Sequence, residues 1–298
     1  MAKIGICIDP HITERHRCRC DNFFETVLGK LKYIADNNDY VIVCGDLFHI
    51  CNNSTYLFYR MYQFFQQYRG KFHVIPGNHD LMNNNMDRLD KTTLGSLVIT
   101  GAITMHLSEF TIDGVSFQPS LVIKDMDNIP VDVNNGKILI GHNYFEMDVA
   151  PKESFTRDDI RKLNYKIVFL GHDHSPHDEE FIGNSILVRM GSLTRIDTQK
   201  YNKERNIYYY QLDTNTVEYE KMLVPSKPTQ DVYTPEAFAS IGRQKVDTTF
   251  IQIGEVLKKL KKEETGINSI KERLMKVASE KEVDYIESLH TLNNVRFF

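Results

Sequence analysis

Short runs of apolar residues, each breaking off abruptly into polar or glycine-containing sequence, recur along the first part of the chain. They are residues 3–8 (Lys-Ile-Gly-Ile-Cys-Ile), 40–44 (Tyr-Val-Ile-Val-Cys) and 72–75 (Phe-His-Val-Ile), and they read as strands buried on both faces. Between them the period changes. Residues 22–36 place Phe24, Val27, Leu28, Leu31 and Ile34 three and four apart, and residues 55–68 do the same with Tyr56, Tyr59, Tyr62 and Phe65, which predicts two helices. Such strand-helix alternation predicts a largely parallel sheet covered by helices.

The second half repeats the theme, with strands expected at 137–141 and 166–170 and a helix around 157–163. Short β runs follow at 180–182, 186–189, 206–212 and 216–222, separated by turn residues such as Gly183-Asn184 and Asp213-Thr214-Asn215. The expected fold is therefore α/β with an antiparallel finish, a two-sheet sandwich packed face to face between helices. The pattern breaks at Pro225-Ser226-Lys227-Pro228. Residues 1–224 are expected to form one domain, 225–245 a linker and 246–298 a small C-terminal helical segment. In that segment Ile253, Val256, Leu257 and Leu260 begin a series of apolar stripes that runs on to Leu292. The stripes either pack back on the main domain or present a face to a partner helix.

Composition mainly excludes. A formal net charge of -4 on 298 residues is not the balance of a broadly basic nucleic-acid binder, so any contact with DNA must come from a local patch. There is no run of about 18 apolar residues, and the opening segment meets a charge too early for a signal peptide. The expectation is a cytoplasmic protein without a membrane segment. The cysteines Cys7, Cys18, Cys20, Cys44 and Cys51 form an odd set with no CxxC pair, which fits reduced thiols rather than a disulfide framework. Cys18-Arg19-Cys20 lacks the second pair that would complete a metal site.

The chemistry is concentrated in five polar clusters, mostly at strand ends: Asp9-Pro10-His11, Gly45-Asp46-Leu47-Phe48-His49, Gly77-Asn78-His79-Asp80, Gly141-His142-Asn143 and Gly171-His172-Asp173-His174. Ligands in open α/β sheets bind at the carboxyl ends of the strands, so pieces scattered in sequence can converge on one site. Imidazole, carboxylate and a side-chain amide suit divalent first-row metals such as manganese, iron or zinc. Asp9, His11, Asp46, Asn78, His142, His172 and His174 exceed what one ion needs. Two ions roughly 3.5–4 Å apart, sharing a carboxylate, would use them all, with Asp46 the choice for the bridge. Each motif alone is weak, because a single His-x-His or Gly-Asn-His is more often an incidental loop feature. Five in order are not.

DxH, GD, GNHD, GH and GHxH in this sequence resemble the motif series of the calcineurin-like metallophosphoesterases, over residues 1–222. The resemblance implies that Asp9, His11 and His174 hold one metal, that Asn78, His142 and His172 hold the other, and that Asp46 bridges. It leaves His79 over the substrate phosphate as a proton or hydrogen-bond donor, with Asp80 expected to hold the His79 ring in orientation. Gly45-Asp46-Leu47-Phe48-His49 is further similar to the SbcD-type DNA-repair nucleases, in which the residue at the place of His49 lies near the substrate's nucleotide. That likeness implies a manganese-dependent nuclease acting on DNA with an SbcC-type coiled-coil ATPase, and a possible homodimer. Compact bacteriophage versions are similar in lacking room for a full DNA-capping domain.

Arg15-His16-Arg17-Cys18-Arg19 follows the first metal motif, so Arg15, Arg17 and Arg19 are candidates for contact with a polyanion, against the equal alternative of a solvated run. Three function classes stay open on the sequence: a DNA nuclease, a small-molecule or cyclic-nucleotide phosphodiesterase of the same superfamily, and a non-catalytic binding module.

Overall fold

Strand β1 (Lys3–Ile8) turns Ile4, Ile6 and Ile8 to one face and Cys7 to the other, and all four are buried. A strand covered on both faces has no polar alternation, which is why it reads as a continuous apolar run. β2 (Tyr40–Cys44) and β3 (Phe72–Ile75) repeat this composition and pair in parallel, β1 to β2 and β2 to β3. The crossovers that a parallel ladder requires are α1 (Phe23–Asp36) and α2 (Thr55–Gln67). Their first turns are closed by Asn22 and Ser54, whose side-chain oxygens accept from the amides of Glu25 and Leu57. These data come from a computed structural model, which describes residues 2–121, 129–146 and 154–242.

The stripe on α1 is the expected one: Phe24, Val27, Leu28, Leu31 and Ile34 pack over Cys7, Val41 and Val43. On α2 it differs. Leu57, Met61, Phe64 and Phe65 face the core, whereas Tyr56 and Tyr59 are 56% and 55% exposed. The tyrosine hydroxyls explain the difference, since in solvent they accept hydrogen bonds from Arg60 and Gln63 one turn on. A buried hydroxyl would need a partner that the aliphatic neighbours do not.

Two six-stranded sheets result. The first has the order β14-β13-β1-β2-β3-β4, where β4 is Thr104–Met105, β13 is Ile207–Asp213 and β14 is Glu218–Val224. The second is β11-β12-β10-β7-β6-β5. Its strands are β5 (Phe110–Ile112), β6 (Val115–Ser120), β7 (Ile138–Gly141), β10 (Ile167–Leu170), β11 (Glu180–Ile182) and β12 (Ser185–Val188). A small parallel pair, β8 (Tyr144–Phe145) and β9 (Ser154–Phe155), stands beside them. Ile4, Ile6, Ile8, Ile42 and Ile75 from the first sheet meet Phe117, Ile138, Ile140, Ile167 and Phe169 from the second in a shared core. α3 (Thr93–Ile99) adds Leu94 and Leu97 to the core under α1 and α2, while α4 (Arg157–Leu163) covers the second sheet with Ile160 and Leu163.

Register sets the site. Ile8 pairs with Cys44 and Cys44 with Ile75, so β1, β2 and β3 end level; in the second sheet Gly141 pairs with Leu170. Every polar cluster found in the sequence therefore leaves its strand at the same end of the sandwich. Residues 225–242, expected as linker, hold two short helices, α5 (Thr229–Val232) and α6 (Pro235–Ser240). Val232, Tyr233 and Ala237 bury against Cys18, and the amide of Thr234 donates to the carbonyl of Cys18 at 3.0 Å. Residues 243–298, including the expected helical segment, lie outside the described residues. Among the described residues no helix is long and apolar enough to cross a membrane.

Candidate metal centre

Four residues just past the strand ends adopt a left-handed backbone: Asp9 (φ 51), His11 (φ 49), Asp46 (φ 45) and His172 (φ 80). That conformation costs a residue with a Cβ roughly 1–3 kcal/mol and persists only where surrounding structure enforces it. Here the reversal takes these residues out of the strands' alternation between the two sheet faces. The glycines beside them make room. Gly45 also has positive φ, and a Cβ on it would overlap the His142 ring; a Cβ on Gly77 would overlap Asp46 Oδ1.

The sequence candidates converge in two triads, Asp9 with His11 and His174, and Asp46 with His142 and His172, each with ligand atoms within 4.8 Å of one another. In the first, His11 Nε2 and His174 Nε2 are 2.9 Å apart. In the second, His142 Nε2 lies 3.1 Å from His172 Nδ1 and 3.0 Å from Asn78 Oδ1. Asp46 Oδ2 stands between the triads, 3.2 Å from His142 Nε2 and 3.6 Å from His11 Nε2. Backbone amides pin the carboxylates, with His79 N donating to Asp46 Oδ1 at 2.8 Å and His172 N to Asp9 Oδ2 at 3.0 Å.

This donor set fits cations. His142 Nδ1 faces Asp9 Oδ1 at 3.0 Å and, more distantly, the carbonyl oxygen of Cys44 at 3.4 Å, both acceptors only, so the ring's first proton belongs on Nδ1. Nε2 then confronts Asp46 Oδ2, Asn78 Oδ1 and His172 Nδ1, and one N–H could satisfy at most one of the three. The titration tendencies agree. Burial would lower His142, but the carboxylates of Asp46 and Asp9 outweigh it and hold the ring well above the ordinary histidine range. Burial raises Asp46, yet His142 and His11 draw it well below the carboxylate range. Burial lowers His11, and burial with His142 beside it lowers His172 to about 3, so both rings keep bare nitrogens. A cluster in which one imidazole, His142, is held protonated against the Asp46 carboxylate while His11 and His172 keep bare nitrogens is one where a divalent ion can take the place of a proton.

The His79 ring lies 5.0 Å from that of His11. His49 stacks on it, with centroids 5.5 Å apart and planes at 22°. The expected role of Asp80 is corrected. Its carboxylate is buried, and both its oxygens accept from main-chain amides, those of Leu47 (3.1 Å), Phe48 (2.9 Å) and Gly77 (3.0 Å). Asp80 thus ties the loop after β2 to the loop after β3. Burial and neighbouring Asp46 push its carboxyl up to about 7 against the pull of those three amides. The ring of His79 is held instead by the main-chain carbonyl of His49, 2.6 Å from Nδ1.

Arg19 is also corrected as a polyanion contact. Its guanidinium is buried, donating to both oxygens of Asp21 at 2.8 and 2.7 Å and to the carbonyl of Arg195 at 3.1 Å. Arg15 and Arg17 remain exposed. Two residues near the site carry no sequence motif. His16 sets its ring edge-on to His49 at 5.2 Å, and Asp197 places Oδ2 3.6 Å from Nδ1 of the His174 ring. His16 lay within the basic run, but its contact with His49 depends on the turn that follows Asp9. Asp197 stands outside all five polar clusters and had no spacing to mark it.

No curated protein matches the sequence. The family described as calcineurin-like phosphoesterase matches it over residues 2–176, more than half of the 298 residues and the span that contributes both triads. The chain is a member of the calcineurin-like phosphoesterase family, with buried aspartate and histidine clusters consistent with a binuclear divalent-metal centre.

Proposed function

We propose that this phosphoesterase is a two-metal DNA nuclease, with manganese as the metal, acting as the catalytic subunit of a repair or recombination complex with a coiled-coil ATPase. The observation that carries the reading beyond the family is the run of imidazoles from the metal centre to an open cleft: His79 packs on His49, and His49 on His16. His16 lines a cavity of about 640 Å³, together with Arg15, Arg17 and Tyr56. The acids in its wall are engaged, Glu14 with Ser54, Asp21 with Arg19 and Glu25 with Arg60. Among the described residues Arg15 and Arg17 form no ion pair. A cleft with two uncompensated cations beside a phosphoryl site suits a substrate that continues past the scissile group as a second phosphate.

The chemistry that two bound divalent ions supply is a water acidified toward neutrality and a polarised phosphoryl oxygen. Asp9, His11 and His174 would hold one ion, Asn78, His142 and His172 the other, with Asp46 between. With Nδ1 donating to the His49 carbonyl, His79 has only Nε2 left to exchange a proton, and that atom is the one able to serve the leaving oxygen. The partner ATPase and any homodimer are part of the same proposal, supported by the likeness of Gly45–His49 to SbcD-type nucleases.

The test is hydrolysis of end-labelled single- and double-stranded DNA beside bis-p-nitrophenyl phosphate, with manganese or EDTA, in the wild type and in His79→Ala. Metal-dependent loss of label that the substitution abolishes supports the nuclease, and the end that loses label gives its polarity. Turnover of the small diester with DNA left intact, alone and with the ATPase, overturns it in favour of a small-molecule phosphodiesterase. Inertness toward both identifies a binding module.

A further inference from the structure

His174 is gripped at both ends by residues that belong to no metal motif. Its carbonyl accepts from Arg205 Nη1 at 3.1 Å, and its Nδ1 faces Asp197 Oδ2 at 3.6 Å, while Nε2 points to His11 Nε2 at 2.9 Å. The acid is itself held in place. Tyr201 donates its hydroxyl to Asp197 Oδ2, Asn202 Nδ2 donates to Oδ1 at 2.8 Å, and the amide of Gln199 donates to Oδ1 at 2.9 Å. Tyr233 fixes the Asp197 main chain through its carbonyl at 2.7 Å, and Arg205 reaches Asn202 Oδ1 at 3.3 Å. With three donors already on it, the Asp197 carboxylate is left facing the imidazole N–H of His174 as an acceptor. Histidines that bind metals are commonly oriented by a carboxylate on the far nitrogen, which fixes the tautomer and raises the basicity of the near one.

We propose that Asp197, braced by Tyr201 and Asn202, is the positioning residue of His174, keeping the proton on Nδ1 and the lone pair on Nε2 turned toward the metal position shared with Asp9 and His11. The inference rests on the reading of Asp9, His11 and His174 as one metal site. It makes the segment 195–205 part of the centre, although the sequence offers no ligand there.

The experiment is a manganese titration of the full-length chain followed by electron paramagnetic resonance, with wild type, Asp197→Ala, Asp197→Asn and Tyr201→Phe. The expected result is two sites in the wild type and, in Asp197→Ala, one site weakened about 10–100-fold with the other unchanged. Asp197→Asn should lose less, because its amide oxygen still accepts the Nδ1 proton, and Tyr201→Phe less again. A wild type that binds no manganese would fault the metal-centre reading itself. Two sites of wild-type affinity in Asp197→Ala, or equal weakening of both, would overturn the positioning role alone. Should Asp197→Ala fail to fold, wild-type binding by the other two variants is the overturning result.

Discussion

His79 donates its Nδ1 proton to the main-chain carbonyl of His49 across 2.6 Å, while the two imidazoles stack 5.5 Å apart. The orientation of the candidate proton donor is thus fixed by backbone, which no substitution at position 49 removes.

His49→Ala should therefore leave His79 oriented and slow hydrolysis of bis-p-nitrophenyl phosphate much less than His79→Ala, whose loss is expected at about 10²–10⁴ in kcat. Steady-state kinetics of the two variants with manganese decide it. Equal losses would mean that the His49 ring itself takes part in the reaction.

Asp80→Ala removes the acceptor of three buried amides, those of Leu47, Phe48 and Gly77. Unsatisfied buried groups cost roughly 1–3 kcal/mol each before relaxation, so a loss of about 2–5 kcal/mol is expected in urea unfolding. A variant with reduced activity and unchanged stability would instead restore Asp80 to the role of holding the His79 ring.

Ions that bind the folded centre and not the unfolded chain must raise stability by mass action. At free manganese 100-fold above its Kd, each site should add about 2.7 kcal/mol, and EDTA should reverse the rise. His172→Ala should lower the manganese-dependent part of Tm and leave the Tm in EDTA nearly unchanged. A Tm indifferent to manganese would count against a metal centre.

Arg17→Glu and Arg15→Glu should weaken DNA binding with little change in Tm, and each should reduce the salt slope by about 1. Arg19→Ala should do the opposite, since it leaves Asp21 without its bidentate partner in a nearly buried position. Breaking such a pair costs about 3 kcal/mol or more. Filter binding at several salt concentrations, set beside thermal melts, separates the two classes.

The same pair gives a pH dependence with a definite sign. Burial raises the Asp21 carboxyl, but hydrogen bonds from Arg19 and Thr26 outweigh it and hold the folded value below the ordinary carboxylate range. The unfolded chain therefore takes up the proton first. The stabilisation is complete above the unfolded pKa and is lost as pH falls through the folded one. Urea melts between pH 7 and pH 3 should show this acid limb flattened in Asp21→Asn.

Much of the architecture could be read from the chain. The runs at 3–8, 40–44 and 72–75 carried strand signals because both their faces are covered, and α1 carried a clean stripe because one face is. β5 and α3 passed unread because they are short, and β6 because Ser116, Gln118 and Pro119 break up its apolar positions. The Asp113-Gly114 turn between β5 and β6, where both residues have positive φ, was the local signal available for that hairpin. On α2 the stripe was right at Phe65 and Tyr62 and wrong at Tyr56 and Tyr59, since a tyrosine counts as apolar in a pattern but can keep its hydroxyl in water.

The sequence by itself determined which chemical groups leave the strand ends and in what order, because a ligand's identity and its place beside a strand are both local properties. From that followed the inventory of Asp9, His11, Asp46, Asn78, His142, His172 and His174. Only the tertiary structure decided what each polar neighbour does. Asp80 lies next to His79 in the chain and yet serves three amides, Arg19 stands in a basic run and yet is buried against Asp21, and Asp197 belongs to no motif and yet faces His174. A hydrogen bond spends a group's valence on whichever partner lies within about 3 Å. Across loops from separate strands, that partner is chosen by the packing of the two sheets and not by distance along the chain.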